Sequence, residues 1–162
     1  MNIELNNIKT GLALVLLSLA FGIAMGVSFH VYEDSYKSNI AAGIETNPAV
    51  HDAKSADKIW RYAQRAHFHA TGISSFALGL VILTLFTSMN ASMKKLASTL
   101  VGLSGSYALA WYSMYMLAPS IGRAAAHEHI LTQVFTFIGV GGLLLGFALI
   151  VGNIFFGLFR AR

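Results

Sequence analysis

Six histidines and no cysteine bound the metal and redox chemistry open to this chain. The absence of thiols leaves no disulfide framework, thiolate nucleophile or thiolate-ligated haem to consider, so any metal must be held by imidazole, carboxylate or phenolate. Five of the imidazoles fall where apolar runs begin or end: His30 closes the first run, His67 and His69 open the second, and His127 and His129 open the fourth. Because helix direction alternates, all five are expected at one membrane level, with His51 alone in the intervening loop. Neutral imidazole is a common ligand for metals and for haem iron; headgroup contact or a satisfied polar network is the other use of histidine at such a level. Residues two apart on a helix point about 200° apart. His67 and His69 therefore cannot share one site within a bundle, and neither can His127 and His129: one of each pair looks inward and the other toward a neighbouring subunit, the loop or the headgroups. Glu33, Asp34 and Glu128 stand close enough in sequence to serve as partners for imidazole N–H groups or to be solvated loop charges.

A carboxylate-bridged two-metal site needs Glu-x-x-His repeated on several helices, and the chain has none. A facial triad or zinc site built from His30, His67 and His129 with Glu128 finds no supporting ligand spacing, though copper and zinc stay open. Haem asks for less: one or two axial imidazoles and an apolar, aromatic, glycine-relieved pocket. The second run offers Phe68, Gly72 and Phe76, and the third offers Tyr107, Trp111, Tyr112 and Tyr115. Ordinary core packing or an interfacial belt would employ the same aromatics. The metal-ligand candidates are thus His67, His129, His127 and His30.

The elements that must position these side chains are membrane helices. Apolar residues make up 56% of the sequence and charged residues 11%, with a mean hydropathy of +0.62, too little polar surface to solvate a compact soluble domain. Four runs meet the length of about 20 residues that a bilayer demands, spanning residues 10–29, 67–89, 96–118 and 130–159. The fold class expected is all-α: one integral membrane four-helix bundle over residues 1–162, with an extracytoplasmic loop at 30–66 and a second at 119–129. The first run reads as a retained span, since its core is longer than a signal-peptide core and no small-x-small cleavage site follows it. Pro48 and Pro119 fall outside the helix interiors.

Charge sets the topology. Lys9, Lys94, Lys95, Arg160 and Arg162 share one side with a single acid, Glu4, in very short segments, and the opposite side balances six cations with six acids. Both termini are therefore expected in the cytoplasm, with the bacterial inner membrane as the location. The net charge of +4 equals this cytoplasmic excess, and with no basic stripe, zinc finger or phosphate-cradling glycine loop, nucleic acid is not an expected partner. Gly22 and Gly26, like Gly141, Gly142 and Gly146, sit inside apolar runs at spacings that suit close helix packing.

One segment carries a resemblance. Trp60-Arg61-Tyr62-Ala63-Gln64-Arg65-Ala66-His67, with the Gly72 that follows, resembles the tryptophan, Arg-Ala-His and small-residue pattern of styrene oxide isomerase and hydroxylaminobenzene mutase, small four-helix membrane proteins. A second stretch, from Trp111-Tyr112 through Pro119-Ser120-Ile121-Gly122, looks like the end of helix three in the isomerase. The resemblance implies a homotrimer that binds haem b between subunits, with His67 as axial ligand, Trp111 in the cofactor pocket, Tyr112 as the pocket tyrosine near the distal face, and a ferric iron acting as Lewis acid on a small apolar epoxide. Arg61 and Arg65, one to two turns ahead of His67, are placed to meet a haem propionate or to snorkel at the interface. The sequence departs from the family at Ile73 and Ala108, where the isomerase carries asparagines, and at His69, His127 and His129, which it lacks. Three functions are therefore expected in competition: a haem-dependent isomerase, a bis-His electron-transfer or quinone-linked subunit with a second ligand from His127, His129 or His30, and a non-enzymatic membrane protein.

Overall fold

The computed structural model describes residues 4–161, so Arg162 of the expected cytoplasmic cluster lies outside the described residues. The described residues are almost wholly helical. Six α-helices follow in chain order: α1 (Lys9–Thr46), α2 (Ser55–Leu85), α3 (Ala91–Gly102), α4 (Ser106–Ile121), α5 (Arg123–Glu128) and α6 (Ile130–Phe156). Three of them, α1, α2 and α6, are long and apolar enough to cross a membrane.

Side-chain clusters fix how the helices run. Ile8, Val81, Met89, Ala97 and Ile150 pack together at one end, and Ile40, Ile59, Tyr115 and Ala126 at the other. The chain thus runs up α1, down α2, up through α3 and α4, and down α6. The lower end is closed by Asn153, a buried side chain whose Oδ1 accepts from the Ser88 amide at 3.0 Å while Nδ2 donates to the Leu158 carbonyl. Such a polar network rigidifies a turn because every buried group in it finds a partner. Gly157, at φ +65°, ends α6 in the left-handed conformation that glycine adopts without strain.

Three expectations need correction. The 30–66 loop is mostly helix: α1 continues to Thr46 past a kink at Tyr32 (φ −126°, ψ 23°), and α2 begins at Ser55. Tyr36, Ile40 and Ile44 repeat at helical spacing, so this polar extension presents an apolar stripe to Ile59, Ala63 and Ala118. Ser28 Oγ donates to the Met25 carbonyl at 2.8 Å and meets the Tyr36 hydroxyl at 2.9 Å, tying the two sides of the kink together. The 96–118 run is not one helix, since a 3-10 turn at Leu103–Gly105 separates α3 from α4. The 119–129 loop contains α5, so His127 lies on that short helix and His129 alone opens α6.

Glycine sets the spacing between helices. A Cβ on Gly139 would stand 2.5 Å from the Tyr107 amide nitrogen, and one on Gly142 2.7 Å from the Leu100 carbonyl, so α6 meets the α3–α4 stretch backbone to backbone. Gly141, between them, faces open space. Gly139→Ala is expected to lower unfolding stability by on the order of 1–3 kcal/mol through overpacking, while Gly141→Ala is neutral or gains up to about 1 kcal/mol in helix propensity. Thermal unfolding of both variants in one detergent checks this, and equal melting temperatures would contradict the packing.

Candidate functional site

His67 and His69 face different neighbours, as their spacing requires. His67 turns to α1, where its Nδ1 lies 2.7 Å from the Gly22 carbonyl oxygen. A carbonyl can only accept, so Nδ1 carries the proton, and in the neutral ring Nε2 keeps its lone pair. The imidazole lies against Gly26, where an added Cβ would be 2.8 Å from Cε1, and its edge meets Phe29 at 6.0 Å between centroids. Gly22 and Gly26 are one helical turn apart, so the pair read from sequence as a packing surface is also the groove that receives this ring. A donated N–H to a backbone carbonyl is the arrangement that orients an imidazole as a metal ligand.

His69 turns to α4. Its ring stacks on Trp111 at 5.6 Å with an interplanar angle of 21° and lies 5.0 Å from Tyr107. Tyr62 packs on Trp111 at 5.7 Å and the Arg65 guanidinium sits 4.7 Å over the indole, a cation–π contact. Trp111 Nε1 is buried without a partner. The sequence reading placed Trp111 and Arg65 in a cofactor pocket but not His69; the helical spacing of Tyr62, Arg65 and His69 on α2, against Tyr107 and Trp111 on α4, was the available signal. Arg61 is exposed and lines a shallow cleft with Lys58, Tyr62 and Arg65.

The remaining histidines serve other ends. His30 and His127 are exposed. His129 caps α6, its Nδ1 accepting from the Leu131 amide at 3.3 Å, so the proton of its neutral ring lies on Nε2. Gln133 Nε2 donates to the His127 carbonyl across the same turn. His51 Nε2 donates to the Pro119 carbonyl at 3.0 Å. Among the described residues no group of three or more His, Asp or Glu side chains is placed to hold a metal ion. His30, His67 and His129 with Glu128 therefore do not assemble into a triad within one chain, because capping, exposure and the α1 groove claim them separately.

The aromatic pocket expected between the second and third runs is also divided. Phe68 and Phe76 are 63% and 55% exposed, and Gly72 meets nothing within 4 Å of a built Cβ. Tyr115 is buried in the upper core, and Tyr112 packs edge-on to Phe21 of α1 at 5.6 Å. Tyr112 meets α1 at Phe21 and His67 meets it at Gly22 and Gly26, and the aromatic contacts of Tyr115, Tyr36 and Phe29 link the two.

The chain matches no protein-family model, no curated protein and no solved structure.

At the upper end Asp52 ties α5 to the start of α2. Its carboxylate accepts from Ser55 Oγ at 2.9 Å, from the Lys54 amide and from Arg123 at 2.8 Å. The Ser55 hydrogen bond foremost, then the Lys54 amide and the Arg123 charge, hold its pKa below the ordinary 3.8. A carboxyl depressed in the folded state contributes stability that is present above its unfolded value and is lost as pH falls through its folded value. Amide protection factors in α5 are expected to fall as the pH is taken below about 4, and Asp52→Asn should show that loss already at neutral pH. Unchanged α5 protection in the variant would refute the tether.

Proposed function

We propose that the chain is an integral membrane four-helix protein that binds haem b through His67 and acts as a Lewis-acid isomerase on a small apolar epoxide-like substrate. In this reading α1, α2 and α6 cross the bilayer, the broken α3–α4 stretch makes the fourth crossing, and both termini lie in the cytoplasm of a bacterial inner membrane. The resemblance to styrene oxide isomerase supplies the cofactor and reaction class. The observation that carries it to this chain is the His67 ring: Nδ1–H is fixed on the Gly22 carbonyl, Nε2 retains its lone pair, and Gly26 leaves the space the ring occupies.

The donor set fits a haem. His67 presents one oriented imidazole with exposed Phe68 beside it and open Gly72 beyond, and Arg61 or Arg65 supplies a cation for a propionate. A ferric haem there supplies an electrophilic iron to an oxygen that must leave carbon. The chain's own task is to hold the imidazole aimed, and to surround the substrate with apolar side chains that keep out the water that would open an epoxide to a diol.

A homo-oligomer belongs to this reading, with the trimer drawn from the resemblance. Gly72 and Gly79 add support: mid-helix glycine costs about 1 kcal/mol relative to alanine, and neither packs against anything in its own chain. His129 is engaged by its helix cap, so the second imidazole of a bis-His electron carrier would have to come from His30 or His127, both exposed.

Protein purified in mild detergent from haem-replete cells is expected to show a high-spin ferric Soret band that shifts with added imidazole. Sharp reduced α and β bands of a six-coordinate haem would instead select electron transfer, and no Soret band would end the haem reading. His67→Ala should lose haem. Full haem content in His67→Ala would overturn the ligand assignment.

A further inference from the structure

We propose that the upper end of α2 holds the phosphate of an anionic phospholipid. Lys58, Arg61, Tyr62 and Arg65 line a cleft of about 240 Å³. Offsets of three, four and seven residues from Lys58 set all four on one flank of the helix, along a rise of about 10 Å.

The three cations of this cleft are unspent. Elsewhere at the upper end the charges are paired, Lys37 with Glu33 and Arg123 with Asp52. Among the described residues no carboxylate lies within ion-pair reach of Lys58, Arg61 or Arg65, and none lines the cleft. Asp52 feels the Lys58 charge through space but takes its contact from Arg123. Arg61 and Arg65 are exposed, and Lys58 and Tyr62 are half-buried. One of the guanidiniums is also held in place: Arg65 lies 4.7 Å over the Trp111 indole, on which Tyr62 packs as well. Stacking uses the face of the guanidinium and leaves its N–H edge free, and a side chain already fixed loses less freedom when a ligand arrives.

Three cations and a phenol select a many-oxygen anion. A carboxylate is filled by a single guanidinium fork, whereas a phosphate can accept from several donors at once. The lipid origin of that phosphate follows from where the cleft lies. Lys58 to Arg65 are the two turns that precede the apolar run of α2, a helix long and apolar enough to cross a membrane, and basic clusters at that level attract anionic headgroups. Arg61, Arg65 and Phe68 follow one another at one-turn intervals, and the face continues to Phe76; both phenylalanines are largely exposed. A phosphate at the cations therefore hangs its acyl chains beside apolar side chains, a gain that free phosphate does not share. A haem propionate requires one guanidinium, whereas this site draws on cations at three positions, and the inference does not rest on haem.

Native mass spectrometry of the full chain, purified in mild detergent and depleted of lipid, tests the site by titration with dioleoyl phosphatidylglycerol. Dioleoyl phosphatidylcholine and oleate are the references. One phosphatidylglycerol per chain is expected, held about tenfold more tightly than either reference. Arg61→Gln and Lys58→Gln should each weaken it about tenfold. Lys54→Gln, which removes a charge from the same end but outside the cleft, should leave it unchanged, and all three variants should keep native helicity by circular dichroism. Equal retention of the three amphiphiles would overturn the proposal. So would an equal loss in Lys54→Gln and Arg61→Gln, since net charge alone would then govern binding. Displacement of the bound lipid by millimolar inorganic phosphate would overturn the lipid assignment. Mass separates bound haem from bound lipid, so a haem-free protein that retains phosphatidylglycerol selectively upholds this site and fails the haem reading alone.

Discussion

The approach of α1 to its neighbours is the contact on which the rest of the structure depends. At Gly22 a Cβ would fall within 3.0 Å of Ala70 and Thr71, and at Gly102 within 3.0 Å of the Gly11 backbone and Leu14. Helices this apolar gain little from hiding oil from oil. They gain from dispersion between atoms in van der Waals contact, which small residues make possible over long stretches. The consequence reaches the chemistry. With α2 drawn onto α1 at Gly22, the His67 ring has nowhere to lie except against Gly26, and the only acceptor in reach of Nδ1 is a helix carbonyl whose second lone pair is free. Packing chooses the tautomer, and the tautomer decides which nitrogen is available.

The same packing divides the histidines among separate tasks. Alternating helix direction does not bring the five imidazoles to one level as expected: His69 meets Tyr107, which also packs on Gly139, ten residues and about 15 Å down α6 from His129. His69, about 200° around α2 from His67, is carried to α4 and pinned on Trp111; His129 is spent on a helix start. Among the described residues the imidazoles therefore do not gather into a multi-histidine metal centre.

Much of the architecture was legible in sequence because apolar run length and helical period are strong signals. The start of α6 at Ile130, the turn near Met89 and the opposed facing of His67 and His69 follow from them directly. The helical cap formed by the end of α1 and the start of α2 was not legible from hydropathy: its polar residues read as loop, and the stripe of Tyr36, Ile40 and Ile44 emerges only when the 3.6-residue period is followed past the apolar stretch. The break at Leu103–Gly105 left no mark, since Gly102, Ser104 and Gly105 read equally well as small residues in a packed helix. The polar side chains divide in the same way. His67 was visible by its type and position, whereas the orphaned hydroxyls of Ser18 and Ser74 become notable only once three dimensions show what they fail to touch.

Two polar features of the interior therefore stand in contrast. The His67 N–H is satisfied within the chain by the Gly22 carbonyl, and in the neutral ring Nε2 keeps its lone pair. The Ser18 and Ser74 hydroxyls are buried and unsatisfied within the chain. Antiparallel register sets the two apart, since Gly26 meets His67, Gly22 meets Ala70 and Thr71, and Ser18 and Ser74 come together around Gly105. Two turns of α-helix at 5.4 Å each separate the layers by about 11 Å. At that separation the imidazole and the two hydroxyls belong to different layers of the helix packing, each set by its own glycine.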